Sequence, residues 1–164
     1  QPVYDQFGFS DEEWSQLVGL PHAVLTAASA AEPDGTRRTR AENAAGLEAI
    51  STGRESPSRL VAAVARELVS RIGDPRAGEE LPAITPADPD AAIQDVLSRA
   101  ERVVKLLGSR VDAGEAGAYK HWLLGIAETV VEAASSGGLL GIGGTAVTES
   151  ERRFRDALAQ VLDG

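Results

Sequence analysis

The chain has 164 residues, 43% of them hydrophobic and 25% charged, which is enough for one domain that buries about 70% of its unfolded surface. Its 16 basic and 25 acidic residues give a formal net charge of -9, which argues against a basic nucleic-acid-binding surface. The lack of cysteine excludes disulfides, thiolate zinc sites and cysteine nucleophiles. No apolar run approaches the ~20 residues of a membrane span and no signal-peptide pattern is seen, so we expect a cytoplasmic protein without membrane insertion.

The first predicted helix begins at a capping box, in which the side chains of Ser10 and Glu13 each bond the other residue's backbone N–H. Pro21 is expected to break this helix, because a proline inside a helix removes a backbone hydrogen bond. Proline suits a first helical turn, so a second helix is expected from Pro21 to about residue 31.

The next predicted helix follows a turn at residues 32–35. Thr39 and Glu42 have capping-box spacing and are expected to begin the helix. Gly53 is expected to end it, because glycine is common just after a helix.

A strong start signal, Ser56 followed by Pro57, predicts Ser56 as the N-cap of a helix that Gly73 ends. Residues 73–89 hold four prolines and an acidic cluster and are predicted to form the longest loop. The apolar positions of the helix before this loop recur at helical spacing: Leu60, Val61, Val64, Leu68, Val69 and Ile72.

The clearest helical pattern begins at Asp88 and Pro89 and is expected to end at Gly108. A further helix is predicted over residues 112–135 and a last one from Thr148, with a glycine-rich loop at 136–147 between them. Strand signals are nearly absent. The sequence therefore predicts a single all-α domain over residues 1–164, with about six or seven helices packed as a bundle.

An internal repetition suggests that a helix–loop–helix unit occurs at both ends of the chain. Residues 35–42 and 144–151 share the pattern Gly-Thr-x-x-Thr-x-x-Glu. Each copy follows a helix that begins near a tryptophan and ends in Ala-Ala-Ser (Trp14 with residues 27–29, Trp122 with residues 133–135). A pseudo-twofold bundle is one interpretation; chance is the other, because Thr-x-x-Glu is common at helix starts.

Three acidic side chains near the first repeat, Glu32, Asp34 and Glu42, form a candidate divalent-cation site. An EF-hand loop is excluded, because Ala30 and Ala41 stand where two of its carboxylates are required. The alternative is an ordinary turn followed by a helix cap.

The glycine-rich loop carries three apolar residues, Leu139, Leu140 and Ile142, which form a candidate contact surface for a partner or a second subunit. The alternative is that they pack beneath the bundle. A phosphate-binding loop is excluded, because Gly144 stands where its lysine is required and the loop follows a helix.

No catalytic or cofactor-binding constellation is recognised. The histidines, His22 and His121, have no metal-ligand spacing with nearby acidic residues. An enzyme would require the fold to gather His121, Tyr119, Glu128 or Glu132 in one cleft.

The C-terminal third resembles a family of uncharacterised bacterial, more narrowly actinobacterial, all-helical proteins. These have a Lys-x-Trp-Leu helix, a Gly-Gly-Phe-Leu-Gly-Phe-Gly-Gly loop and a Val-Ser-x-x-Glu helix. Here Leu139 and Ile142 replace the loop phenylalanines, and the resemblance implies no activity. The matching segments are residues 119–127, 137–144 and 147–151, with residues 9–21 near the N-terminus.

A more limited resemblance, to helical proteins of the tellurite-resistance B type, lies in Asp34, Gly35 and Glu42 between two helices. It implies a repeated unit whose acidic residues bind divalent cations. Gly143 replaces the aspartate in the second unit. Two functions are therefore expected: an interaction or accessory protein that binds a protein partner or itself without a cofactor, or a divalent-cation-binding stress-response protein.

Overall fold

A computed structural model describes residues 8–30, 36–73, 88–137 and 149–163. These residues form six α-helices and a short 3₁₀ turn at Gly53–Glu55, and they contain no β-strand. The prediction of an all-α fold with about six or seven helices is confirmed. The helices are α1 (Asp11–Ala30), α2 (Thr36–Thr52), α3 (Arg59–Ile72), α4 (Pro89–Arg110), α5 (Ala113–Gly137) and α6 (Glu149–Asp163).

Helices α1 and α5 lie at the centre of the bundle, since each packs against all five other helices. One continuous cluster of buried apolar side chains has members from all six helices. Although α5 is largely apolar, neither it nor any other described helix is long and apolar enough to cross a membrane. Helix α5 buries one broad face, wider than a single stripe: Ala116, Tyr119, Leu123, Ile126, Ala127, Val130 and Val131.

Helix α4 packs mainly on α1 and α6, on the outside of the bundle. It begins as predicted: Pro89 is its first residue, and Asp88 Oδ1 accepts a hydrogen bond from the Ala91 N–H at 3.1 Å. It continues past Gly108 to Arg110, so the predicted end is wrong by two residues. Its buried residues form one stripe at spacings of four, three and four: Val96, Ala100, Val103 and Leu107.

The prediction that Pro21 breaks the first helix is wrong, because α1 is continuous from Asp11 to Ala30. A proline at position 21 removes the N–H that would bond the Leu17 carbonyl. The Tyr119 hydroxyl of α5 donates to that carbonyl at 2.7 Å. The hydrogen bond that the proline removes from α1 is therefore replaced by one from the neighbouring helix.

Helix α3 begins two residues later than predicted, with Ser58 rather than Ser56 as its N-cap. Ser58 Oγ accepts a hydrogen bond from the Val61 N–H at 3.2 Å. A carboxylate oxygen of Glu115, in the first turn of α5, accepts from Ser58 Oγ at 2.9 Å and from the Leu60 N–H at 3.0 Å. The α3 start is thus fixed by a residue distant in sequence, whereas its predicted end at Gly73 (φ 104°) is confirmed.

The first capping box is confirmed at both of its hydrogen bonds. The Ser10 N–H donates to Glu13 Oε1 at 2.9 Å, and the Glu13 N–H donates to Ser10 Oγ at 3.1 Å. Arg110, at the end of α4, forms an ion pair with Glu13 at 3.2 Å. The α1 N-terminus is therefore joined to the α4 C-terminus.

The helix packing does not follow the symmetry of the suspected repeat. A twofold axis exchanging α1 with α5 and α2 with α6 would make the α1–α6 contact equal to the α2–α5 contact. The α2–α5 contact is the most extensive in the described bundle, whereas α1 and α6 touch at few positions.

Candidate functional site

Helix α2 lies antiparallel to α5, with glycines where the two helices approach closely. The Trp122 indole N–H donates to the Ala49 carbonyl at 3.3 Å, and a Cβ at Gly53 would lie 2.8 Å from the Trp122 ring. Two turns earlier in α2, a Cβ at Gly46 would lie 2.9 Å from Val130. The start of α2 therefore lies beside the end of α5.

Gly46 also brings α1 close to α2, since its Cβ would lie 2.5 Å from Leu25 Cδ1. One helical turn from this contact, Glu42 of α2 faces Ser29 of α1. Ser29 Oγ donates a hydrogen bond to Glu42 Oε1 at 2.9 Å. Glu42 is 0% exposed and Ser29 is 9% exposed, so this contact lies in the interior.

Glu42 is the only fully buried carboxylate among the residues whose side chains are described. Burial of a carboxylate costs free energy that hydrogen bonds or a positive charge must offset. Asn43, also buried, follows it in the chain, so three buried polar side chains lie at this end of a mainly apolar core. We refer to the end of the bundle around Ser29, Glu42 and Asn43 as the Glu42 end.

The predicted capping role of Glu42 is wrong. Helix α2 begins at Thr36, so Thr39 lies inside the helix rather than at its start, and Glu42 is the seventh helical residue. Its side chain points into the core towards Ser29. The sequence selected Glu42 as a cation ligand and as a cap; its burial and its bond to Ser29 were not foreseen.

The structure places one of the three candidate cation ligands. Glu42 lies at the Glu42 end, whereas Glu32 and Asp34 lie in residues 31–35, outside the described residues. That segment connects α1 to α2, whose adjoining ends both lie at the Glu42 end. Within the described ranges, no group of three or more histidine, aspartate and glutamate side chains is placed to hold a metal ion.

The candidate contact residues Leu139, Leu140 and Ile142 also lie outside the described residues, in the segment 138–148. Helix α5 extends to Gly137, beyond the predicted loop start at residue 136. Because α5 runs antiparallel to α2, the C-terminal end of α5, to which this segment is attached, lies at the Glu42 end. Both segments that the sequence selected are therefore attached to the same end of the bundle.

The side chains named for a possible enzyme are not gathered in one cleft. Tyr119 is 0% exposed, and burial raises the pKa of its hydroxyl well above the ordinary value, so it remains a hydrogen-bond donor to Leu17. His121, Glu128 and Glu132 are exposed on α5. The fold thus places the tyrosine in the core and the other three at the surface.

The chain was compared with protein-family models, with curated proteins and with solved structures, and no match was found in any of the three. The two family resemblances therefore remain predictions from the sequence.

Proposed function

We propose that this chain is an accessory protein that acts by binding a protein partner or a second copy of itself, and that it binds at the Glu42 end. The observation that carries this proposal is the burial of the Glu42 carboxylate, hydrogen-bonded to Ser29, in a core made mainly of apolar side chains. A buried carboxylate is unfavourable in an apolar core, and departures of this kind are expected at functional or strained sites.

A candidate apolar contact surface follows the C-terminus of α5, which lies at the Glu42 end. Leu139, Leu140 and Ile142 belong to the segment that follows α5, and glycines surround them. Exposed aliphatic side chains gain free energy when a partner removes them from water, about 25 cal/mol per Å².

The proposal is tested by measuring molar mass by light scattering over a wide range of protein concentration. For self-association, we expect the wild-type mass to rise from 17.1 kDa towards twice that value. A triple variant, Leu139→Ser with Leu140→Ser and Ile142→Ser, is expected to remain monomeric. Leu106→Ser is the matched control, because Leu106 is a half-buried apolar residue near the C-terminus of α4, at the opposite end of the bundle, where Arg110 pairs with Glu13.

Two outcomes would contradict these expectations. A wild-type mass that stays at 17.1 kDa throughout removes self-association. If the triple variant associates as strongly as the wild type, residues 139–142 do not form the contact.

A second candidate function, binding of a divalent cation, is favoured by the position of Glu42 next to the segment that holds Glu32 and Asp34. Carboxylate oxygens are the ligands that Ca²⁺ and Mg²⁺ prefer. A cation beside Glu42 would offset the cost of burying its negative charge.

Thermal unfolding with a chelator and then with Ca²⁺, Mg²⁺ or Mn²⁺ tests this candidate. A cation at a hundredfold excess over its Kd stabilises the folded state by about 2.7 kcal/mol. We expect this gain in the wild type and its loss in Asp34→Lys and Glu42→Gln. The comparison is between the cation-dependent shifts in Tm, because Glu42→Gln also changes the stability of the cation-free protein.

Glu128→Gln is the control, since it removes an exposed carboxylate of α5. An equal cation-dependent shift in the wild type and in Asp34→Lys would reject Asp34 as a ligand. The two candidates are distinguishable, because self-association depends on protein concentration and cation binding does not.

A further inference from the structure

No further inference is drawn: the strongest candidate, the open polar groove where Arg102 and Lys105 of α4 face the N-terminal turn of α1, is also lined by Glu12 and Glu13, and nothing among the described residues beyond the helix N-terminus points to a ligand.

Discussion

Helices α4 and α5 follow one another in the chain but are stabilised in different ways. Helix α4 lies outside, buries one stripe and begins with a cap from its own sequence, Asp88. Helix α5 lies inside, and three of its side chains bond the backbone of other segments. Glu115 accepts from the Leu60 N–H, Tyr119 donates to the Leu17 carbonyl and Trp122 donates to the Ala49 carbonyl. The position of α5 is therefore stabilised by hydrogen bonds between residues distant in sequence, which the local sequence pattern does not indicate.

The largest expected effect of breaking such a contact is at Tyr119. Tyr119→Phe keeps the buried ring but removes the donor to the Leu17 carbonyl, which Pro21 cannot replace. A buried carbonyl without its hydrogen bond costs about 1–3 kcal/mol. We expect a loss of that size in the free energy of unfolding, measured with urea.

The control for this prediction is the same substitution in a Pro21→Ala background. The alanine introduced there would supply the N–H that bonds the Leu17 carbonyl within α1, so Tyr119→Phe should cost less than half as much in that background. An equal loss in both backgrounds would show that the tyrosine does not compensate for the proline.

Substitution of two glycines should change stability in opposite directions: Gly46 of α2 contacts the inner helices α1 and α5, whereas Gly108 lies on the outer helix α4. Gly46→Ala places a methyl group 2.5 Å from Leu25 Cδ1 and 2.9 Å from Val130 Cγ2, and crowding of this kind costs about 1–3 kcal/mol. Gly108 of α4 has nothing within 4 Å of an added Cβ, so Gly108→Ala should stabilise by about 0.5–1 kcal/mol through helix propensity.

Thermal unfolding of the two glycine variants gives the comparison directly. We expect Tm to fall for Gly46→Ala and to rise for Gly108→Ala. If Tm rises equally in both variants, the close approach of α1, α2 and α5 at Gly46 is not maintained in solution.

The smallest expected effect concerns pH and the half-buried His22 of α1. Burial lowers the pKa of His22 below its ordinary value of 6.5. The folded state then binds this proton less readily than the unfolded state does. The contribution of His22 to the free energy of unfolding therefore decreases as the pH drops through 6.5, and it becomes constant below the folded-state pKa.

Urea unfolding at a series of pH values between 7.5 and about 4.5 measures this dependence, in a range that reaches about two units below the ordinary histidine pKa. His22→Gln should reduce the loss of stability on acidification. His121→Gln, which changes an exposed histidine of α5, should leave that loss unchanged. Identical profiles for His22→Gln and the wild type would contradict the effect of burial on His22.

The local signals that predicted the fold correctly are those whose hydrogen bonds close within a few residues. The capping box of Ser10 and Glu13, the Asp88 cap and the Gly73 end each depend on neighbouring residues alone. The stripe of α4 was equally clear, because a helix that is buried on one side has a periodic sequence.

The wrong predictions fall where a distant residue decides the local structure. Pro21 is accommodated because Tyr119 bonds the carbonyl that the proline leaves. Ser58 replaces Ser56 as the cap because Glu115 bonds both the Ser58 hydroxyl and the Leu60 N–H. Neither partner can be identified from sequence spacing, since the pairs are brought together only by helix packing.

The candidate site was predictable only in part for the same reason. Glu42 was selected from the sequence because it is acidic and lies near a turn. Neither property indicates whether a side chain is buried. A serine within the buried alanines at the end of α1 was visible in the sequence, but its pairing with Glu42 depends on how closely Gly46 lets α1 and α2 approach. Close packing at a glycine is a tertiary property.

The hydrogen bonds from α3 to Glu115 have a consequence for the order of folding. Ser58 and Glu115 are 57 residues apart, so the first turn of α3 is completed only when α5 docks. Closing so long a loop carries an entropic cost that local helix formation does not. A chain growing from its N-terminus would thus carry α3 with an incomplete cap until Glu115 has been added.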